Sequence, residues 1–464
     1  MWTKKFNKSD RKKFLHLIEY IIDAINTGQL ESGQALPSQR ELSKSLGVSI
    51  GTITKAFKEL EKMGYLSGQI GRGTYVRDIT KDFSQFWYKE ENVPYKYNLG
   101  HYRTTELFNH SIQLSLLSSI KEVTNSDDLY AHLHDLKNFG TESQKNVFVD
   151  WLSPLGFKSL STKEITILSA DVFSIHVLIS ILSKKGDYVL VEEIGDRISR
   201  DQLLATERAV ATVKLDSEGI DVGDLATQIQ RTKAKLLITN PTYHNPTGIT
   251  TGLNRKKQIA AVCAQYGVKI IEDGKVDFFS DTPIHPYFDI NPEIGIYTTG
   301  LYFHINPSLT TSVVVGSSEV IKKAEEFYAL THWTGSQLLQ RISTHLIESG
   351  HAATVIYEKK KMLKDRNQLF NEVFGSKGKP GSENSVLRWL KIPSKKSSSV
   401  LTQHAYENGI LIRNSSIFSL DQEMTPPPYV RICNAAIHSL DHYRKALNEL
   451  KELMDDDSTE LNLR

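Results

Sequence analysis

Leu236-Leu-Ile-Thr-Asn-Pro-Thr-Tyr-His-Asn-Pro-Thr-Gly248 begins as four β-favouring residues and breaks at Asn240 into a turn of asparagine, proline and glycine. A helical stretch follows at 254–266, and Val268-Lys-Ile-Ile271 returns to β-rich sequence that ends at Glu272-Asp273. Strand, helix, strand in that order is a crossover connection, which makes the two strands parallel and covers their sheet with helices. The pattern extends outward in both directions. Ile165–Leu168, Tyr188–Val191 and Ala209–Val213 precede it, Thr311–Val315 follows, and helical stretches at 172–184 and 222–232 separate several of the runs. The expected fold class is therefore α/β with a largely parallel sheet. Beyond it, one long helix through Ala324–His345, another around 352–372, a strand at Ser385–Leu390 and a last helix near His438–Met454 predict a smaller α+β lobe over about 325–464.

With 464 residues, 39% hydrophobic and 24% charged, the chain has room for more than one core. Cys263 and Cys433 stand far apart and show no metal-ligand spacing, which argues against a disulfide framework or a bound metal and for a reducing, cytoplasmic setting. No run of 18 apolar residues occurs, and the basic N-terminus leads into no apolar leader, so a secreted or membrane-spanning protein is not expected. Charge is unevenly placed. Residues 1–78 hold 13 Lys+Arg against 8 Asp+Glu, or +5, which leaves −3 for the remainder of a +2 chain. A basic terminus on a mildly acidic body points to contact with a polyanion.

Within that terminus, Phe14, Leu17, Ile18, Ile21, Ile22 and Ile25 recur at helical spacing. Leu36-Pro-Ser-Gln-Arg-Glu-Leu-Ser-Lys-Ser-Leu-Gly47 carries an N-cap at Ser38, a capping-box Glu41 and a terminal glycine. Val48-Ser49 opens a third helix with Ile53, Ala56, Phe57 and Leu60 inward and Thr52, Thr54, Lys55 and Lys58 outward. Tyr65–Val76, with Gly71-Arg72-Gly73 at its centre, has the composition of a hairpin. Three helices and a hairpin make a winged helix-turn-helix, whose recognition helix fits the major groove of DNA. This stretch resembles the GntR-family DNA-binding domain across roughly residues 10–78. The resemblance implies DNA contacts at Arg40, Ser49, Thr52, Thr54 and Arg72, with Ser38, Lys44 and Lys55 beside them. Ile50 stands where that family often has arginine. Residues 79–95, with Phe83, Phe86, Trp87 and Tyr88, are expected to be a linker, and 96–464 the body.

The body's signposts are Asn240-Pro-Thr-Tyr-His-Asn-Pro-Thr-Gly248, Ile270-Ile-Glu-Asp273 and Pro426-Pro-Pro-Tyr-Val-Arg431. In their order they resemble a fold-type I, pyridoxal-phosphate-dependent aminotransferase. A GntR-like head on such a body resembles the MocR/GabR-type transcriptional regulators. That resemblance implies that Asp273 pairs with the pyridinium nitrogen, Asn245 with the ring hydroxyl and Arg431 with a ligand carboxylate. Other positions depart from it. From Val276 to Ile321 there is neither lysine nor arginine, although about five or six would be expected by composition. Aligned through Pro307-Ser-Leu309, the family's lysine falls on Phe303, the serine before it on Tyr302, and a phosphate-binding arginine on Thr310. The phosphate turn reads Ser169-Ala170-Asp171. At about 4 Å and an effective dielectric of about 20, Asp171 and a phosphate charge would repel by about 4 kcal/mol. Lys275 replaces a tyrosine, and His244 and His304 are further pocket candidates. The expected protein is a sequence-specific, dimeric DNA-binding regulator in which, by resemblance, the head of one chain packs on its partner's body. Its effector pocket would hold no covalent pyridoxal phosphate and perform no transamination. The alternative is a pyridoxal-phosphate-dependent regulator or enzyme that uses Lys275 or a noncovalent cofactor.

Overall fold

The computed structural model describes residues 13–26, 29–30, 33–62, 65–69, 73–76, 95–127, 129–130, 139–332, 335–375, 383–393, 397–420 and 427–456. The chain divides into two units, Met1–Pro94 with Asp201–Ala211, and Tyr95–Arg200 with Thr212–Arg464. Arg72 and the linker aromatics Phe83, Phe86, Trp87 and Tyr88 lie outside the described residues.

In the first unit, α1 (Lys13–Asn26), α2 (Gln39–Leu46) and α3 (Ile50–Lys62) bury Leu17, Ile21, Leu42, Leu46, Ile53, Phe57 and Leu60 in one core. Gly47 ends α2 at φ 65°, a left-handed conformation that glycine adopts without steric cost, and only three residues separate α2 from α3. β1 (Leu66–Gln69) and β2 (Gly73–Val76) pair antiparallel from Leu66 opposite Val76 to Gln69 opposite Gly73. The segment ahead of α2 adds to this ribbon, with Leu36 donating its amide to the Thr74 carbonyl at 2.8 Å. This is a helix-turn-helix with a wing.

The second unit is built on a seven-stranded sheet. Its strands are β3 (Ile165–Ser169), β4 (Tyr188–Glu192), β5 (Ala209–Val213, of which only Thr212 and Val213 belong to this unit), β6 (Leu236–Thr239), β7 (Lys269–Asp273), β8 (Gly295–Gly300) and β9 (Thr311–Val315), in the spatial order β3-β9-β8-β7-β6-β4-β5. β7 pairs parallel with β6 and β8, whereas β9 runs antiparallel to β8 and β3. The sequence reading holds no strand at β8. Ile296-Tyr-Thr-Thr299 favours a strand, but the run is only four residues between two glycines, and because every residue is buried no apolar-polar alternation marks it. The single helix expected over Ala324–His345 is two, Ser318–His332 and Gln337–Glu348. Gly335-Ser336 divides them, and Ser336 accepts the Leu339 amide as an N-cap.

Helix His351–Phe374 joins two cores. Its Val355 and Leu363 pack with the sheet side, while Leu369, Phe370 and Phe374 pack under the small lobe. That lobe carries Leu387–Lys391 and Arg413–Asn414 on either side of Tyr429–Cys433, all antiparallel, with Leu440–Asp455 as the last helix. Among the described residues no helix is long and apolar enough to cross a membrane.

Candidate nucleic-acid interface and body pocket

The local chemistry of the head fixes the pose of α3. Ser38 and Glu41 form a reciprocal capping box at α2, with the Ser38 amide 2.9 Å from Glu41 Oε2. This contact holds the Glu41 carboxyl below its usual range. Ser49 caps α3, accepting the Thr52 amide at 3.1 Å, and its hydroxyl lies 2.8 Å from Thr52 Oγ1. Thr54 is not simply outward. Its hydroxyl donates to Gln39 Oε1 at 2.7 Å and so ties α3 to α2. Lys55 Nζ lies 4.8 Å from the centre of the Phe14 ring and braces α3 on α1. Ser38, Ser49, Thr54 and Lys55 therefore have positions set by the head's own structure. Arg40 and Lys44 are exposed cations on α2, and Ile50 is exposed at the start of α3.

The body site forms where the loops after β4, β6 and β7 meet. Asp273 ends β7, and two residues later Lys275 turns back on it, with Nζ 2.6 Å from Asp273 Oδ2 and 3.0 Å from Asp196 Oδ2. Asn245 donates to the same Asp196 oxygen at 3.3 Å and accepts from Arg431 Nη1 at 3.1 Å. Arg431 also donates to the Gly100 carbonyl. Asn240 braces the arrangement by donating to the Asp273 carbonyl at 2.7 Å. Three of these residues come from segments 33 or more positions apart, which is why no single stretch of sequence displays them together.

Burial and charge set the protonation states. Desolvation alone would favour a neutral lysine, but Asp196 and Asp273 outweigh it and hold Lys275 well above its ordinary value. Lys275 is thus a clamped ammonium. Burial works against the Asp196 carboxylate, yet Lys275 brings its pKa below the usual range. Asp171, the first residue of the helix Asp171–Leu182, is pushed up to about 7 by burial and then by the charge of Asp273. Neither of its carboxyl oxygens has a hydrogen-bond partner among the described residues. It lies tight against the chain at Gly300, where a Cβ would sit 1.9 Å from Asp171 Oδ1.

The remaining candidates divide into two groups. His244 joins the cluster, its Nδ1 2.8 Å from Thr247 Oγ1, with burial pushing its pKa down to about 4. His304 instead sits in the core. Its Nδ1 donates to the Gly300 carbonyl at 2.7 Å, its Nε2 accepts the Phe278 amide at 3.3 Å, and its ring is 5.0 Å from that of Phe278. Phe303 lays its ring 4.7 Å from Tyr102, which faces Lys275 and Arg431, and Tyr302 packs 4.9 Å from Phe303. Thr310 contributes its carbonyl, which accepts the Ala170 amide at 2.5 Å. Sequence reasoning passed over Asp196 and Tyr102. Asp196 follows Ile194-Gly195 at the end of a strand-to-helix turn, a position at which an acidic residue next to glycine is the only local signal.

These residues do not fit the cofactor that the fold implies. An aldimine requires a neutral lysine amine, and Lys275 is held charged against the carboxylate that would face a pyridinium nitrogen. At the turn that the resemblance assigns to a phosphate, Asp171 offers unpartnered carboxyl oxygens in place of donors.

Known proteins resemble the chain in both parts. Residues 14–76 match the family described as bacterial regulatory proteins, gntR family. Over 94% of its length the chain is 25% identical to 95% of YdfD, and over 98% it is 24% identical to 97% of YdeF, both HTH-type transcriptional regulators of Bacillus subtilis (strain 168). In structure, 85% of the chain matches 97% of an archaeal alanine:glyoxylate aminotransferase at a TM-score of 0.70 and 16% identity, a likeness of fold.

Proposed function

Because the chain is a DNA-binding transcriptional regulator of the MocR type, a GntR head followed by an aminotransferase fold, we propose that it acts as a homodimer whose body holds a small-molecule effector and performs no transamination. Two heads would read two half-sites of an operator, as helix-turn-helix dimers do. The observation that carries the reading is the Lys275 ammonium seated between Asp273 and Asp196. It holds the amine beside Asp273 out of nucleophilic use and neutralises the carboxylate that a cofactor ring would need. An effector that prefers one of two arrangements of the dimer would shift the heads' operator affinity by its difference in affinity for the two.

Titration of the purified protein with pyridoxal phosphate, followed by absorbance and by borohydride trapping, tests the central point. We expect no aldimine band and no trapped adduct. A band that disappears in Lys275→Ala would replace this proposal with a pyridoxal-phosphate-dependent regulator. A thermal-shift screen with amino acids, vitamers and nucleotides tests the effector, since any ligand that binds only the native body raises its stability.

A further inference from the structure

Two adjacent residues at the start of α3 are not accounted for by the packing of the head. Ile50 continues the stripe of Ile53 and Phe57, which are 0% and 3% exposed, yet is itself 47% exposed. The stripe runs one turn beyond the core that covers it. Gly51 follows as the second residue of the helix and adds no side chain to its surface. Nothing among the described residues requires it. Its φ is not left-handed, and a Cβ built there would meet only Ser49 Oγ, at 3.9 Å. An uncovered apolar side chain beside a helix surface stripped of its own is the shape of a surface that another body approaches closely.

We infer that Ile50 reads the C5-methyl group of a thymine in each half-site and that Gly51 lets the groove wall come close enough for it to do so. The inference rests on the reading of α3 as the DNA-recognition helix. In a helix-turn-helix the N-terminal residues of that helix face the base edges. There the thymine methyl is the one apolar group that the major groove displays, and apolar side chains recognise it by contact. Isoleucine has no donor or acceptor to offer a guanine or adenine edge. Ser49 and Thr52 hydrogen-bond each other, and Ser49 Oγ accepts the Thr52 amide as the helix cap. Ile50 and Gly51 therefore present shape and apolar surface rather than a hydrogen-bond pattern.

The full-length protein is used to select operators from a random duplex pool, and each thymine of the selected site is then replaced singly by uracil, which deletes only the methyl group. We expect one thymine per half-site whose replacement weakens binding about fourfold, the factor that corresponds to one methyl leaving water. The same replacement should have no effect on Ile50→Ala. Gly51→Ala should bind the selected site more weakly while its head unfolds at a higher temperature. Uniform tolerance of uracil by the parent, or equal sensitivity in Ile50→Ala, overturns the inference and leaves the regulator reading intact. Failure to enrich any site overturns both.

Discussion

At the scale of single residues, the body pocket is an arrangement of charges that stand or fall together. Lys275→Met leaves Asp196 and Asp273 buried without their cation, and urea denaturation should show a loss of about 3–5 kcal/mol. Lys275→Met combined with Asp273→Asn should recover part of it, and a loss below about 1 kcal/mol in the single variant would mean that the pair is not clamped as described. Asp171 makes a prediction of opposite sign. Its carboxyl sits at about 7 in the folded chain against an ordinary 3.8, so the folded state holds the proton more tightly than the unfolded one. Its contribution is favourable below the ordinary value, declines as pH rises between 3.8 and about 7, and is level above that. Asp171→Asn does not titrate, so its advantage over the parent should grow across that window to at most about 4 kcal/mol. Melting temperatures of both proteins at acidic and alkaline pH check this, and a difference that is flat with pH would remove Asp171 from the buried, unpartnered state. The sequence displayed Asp171, Asp273 and Lys275 because each lies in a recognisable motif. It hid Asp196, whose meaning comes only from a lysine 79 positions away.

Elements carry the next set of outcomes. In α2, Arg40 and Lys44 are exposed and project from a helix pinned by its capping box. Arg40→Ala and Lys44→Ala should each weaken operator and non-specific DNA alike and lower the slope of log affinity against log salt by about one. An unchanged slope in both would take α2 out of the interface. Helix His110–Thr124 displays Leu114, Leu117 and Ile120 at 50%, 54% and 41% exposure, and Leu117 and Ile120 line a cavity of about 270 Å³ with Phe108, Leu309 and Ile342. An apolar stripe of this kind on an otherwise well-packed body suits a subunit contact. Leu117→Glu should shift the sedimenting species from dimer to monomer, and a dimer of unchanged strength would place the contact elsewhere. Element reading from sequence succeeded where pattern and burial agree, as in α2 and in the strand Leu236–Thr239. It failed at Gly295–Gly300 and over Ala324–His345. In the first, a fully buried run of four between two glycines shows no alternation, and in the second a Gly-Ser pair splits a periodic apolar pattern.

For the molecule as a whole, the α/β class and the winged helix-turn-helix were legible because both repeat one local rule many times. The antiparallel β9 was not, since strand direction depends on where the chain returns and leaves little trace in composition. The head and the body each enclose their own core. Calorimetry should resolve more than one transition, and operator DNA should raise the one that belongs to the head. A single transition, unmoved by DNA, would contradict this. One last consequence concerns β7. Its two final residues point to opposite faces of the sheet. On one face Glu272 holds Lys256 at 2.5 Å and the Tyr287 amide at 2.6 Å, and on the other Asp273 holds Lys275. Sliding β7 by one place between β6 and β8 would turn each acid away from its own cation. The strand is keyed electrically as well as by its apolar residues, so a mispaired sheet during folding is rejected at its centre rather than at its edges.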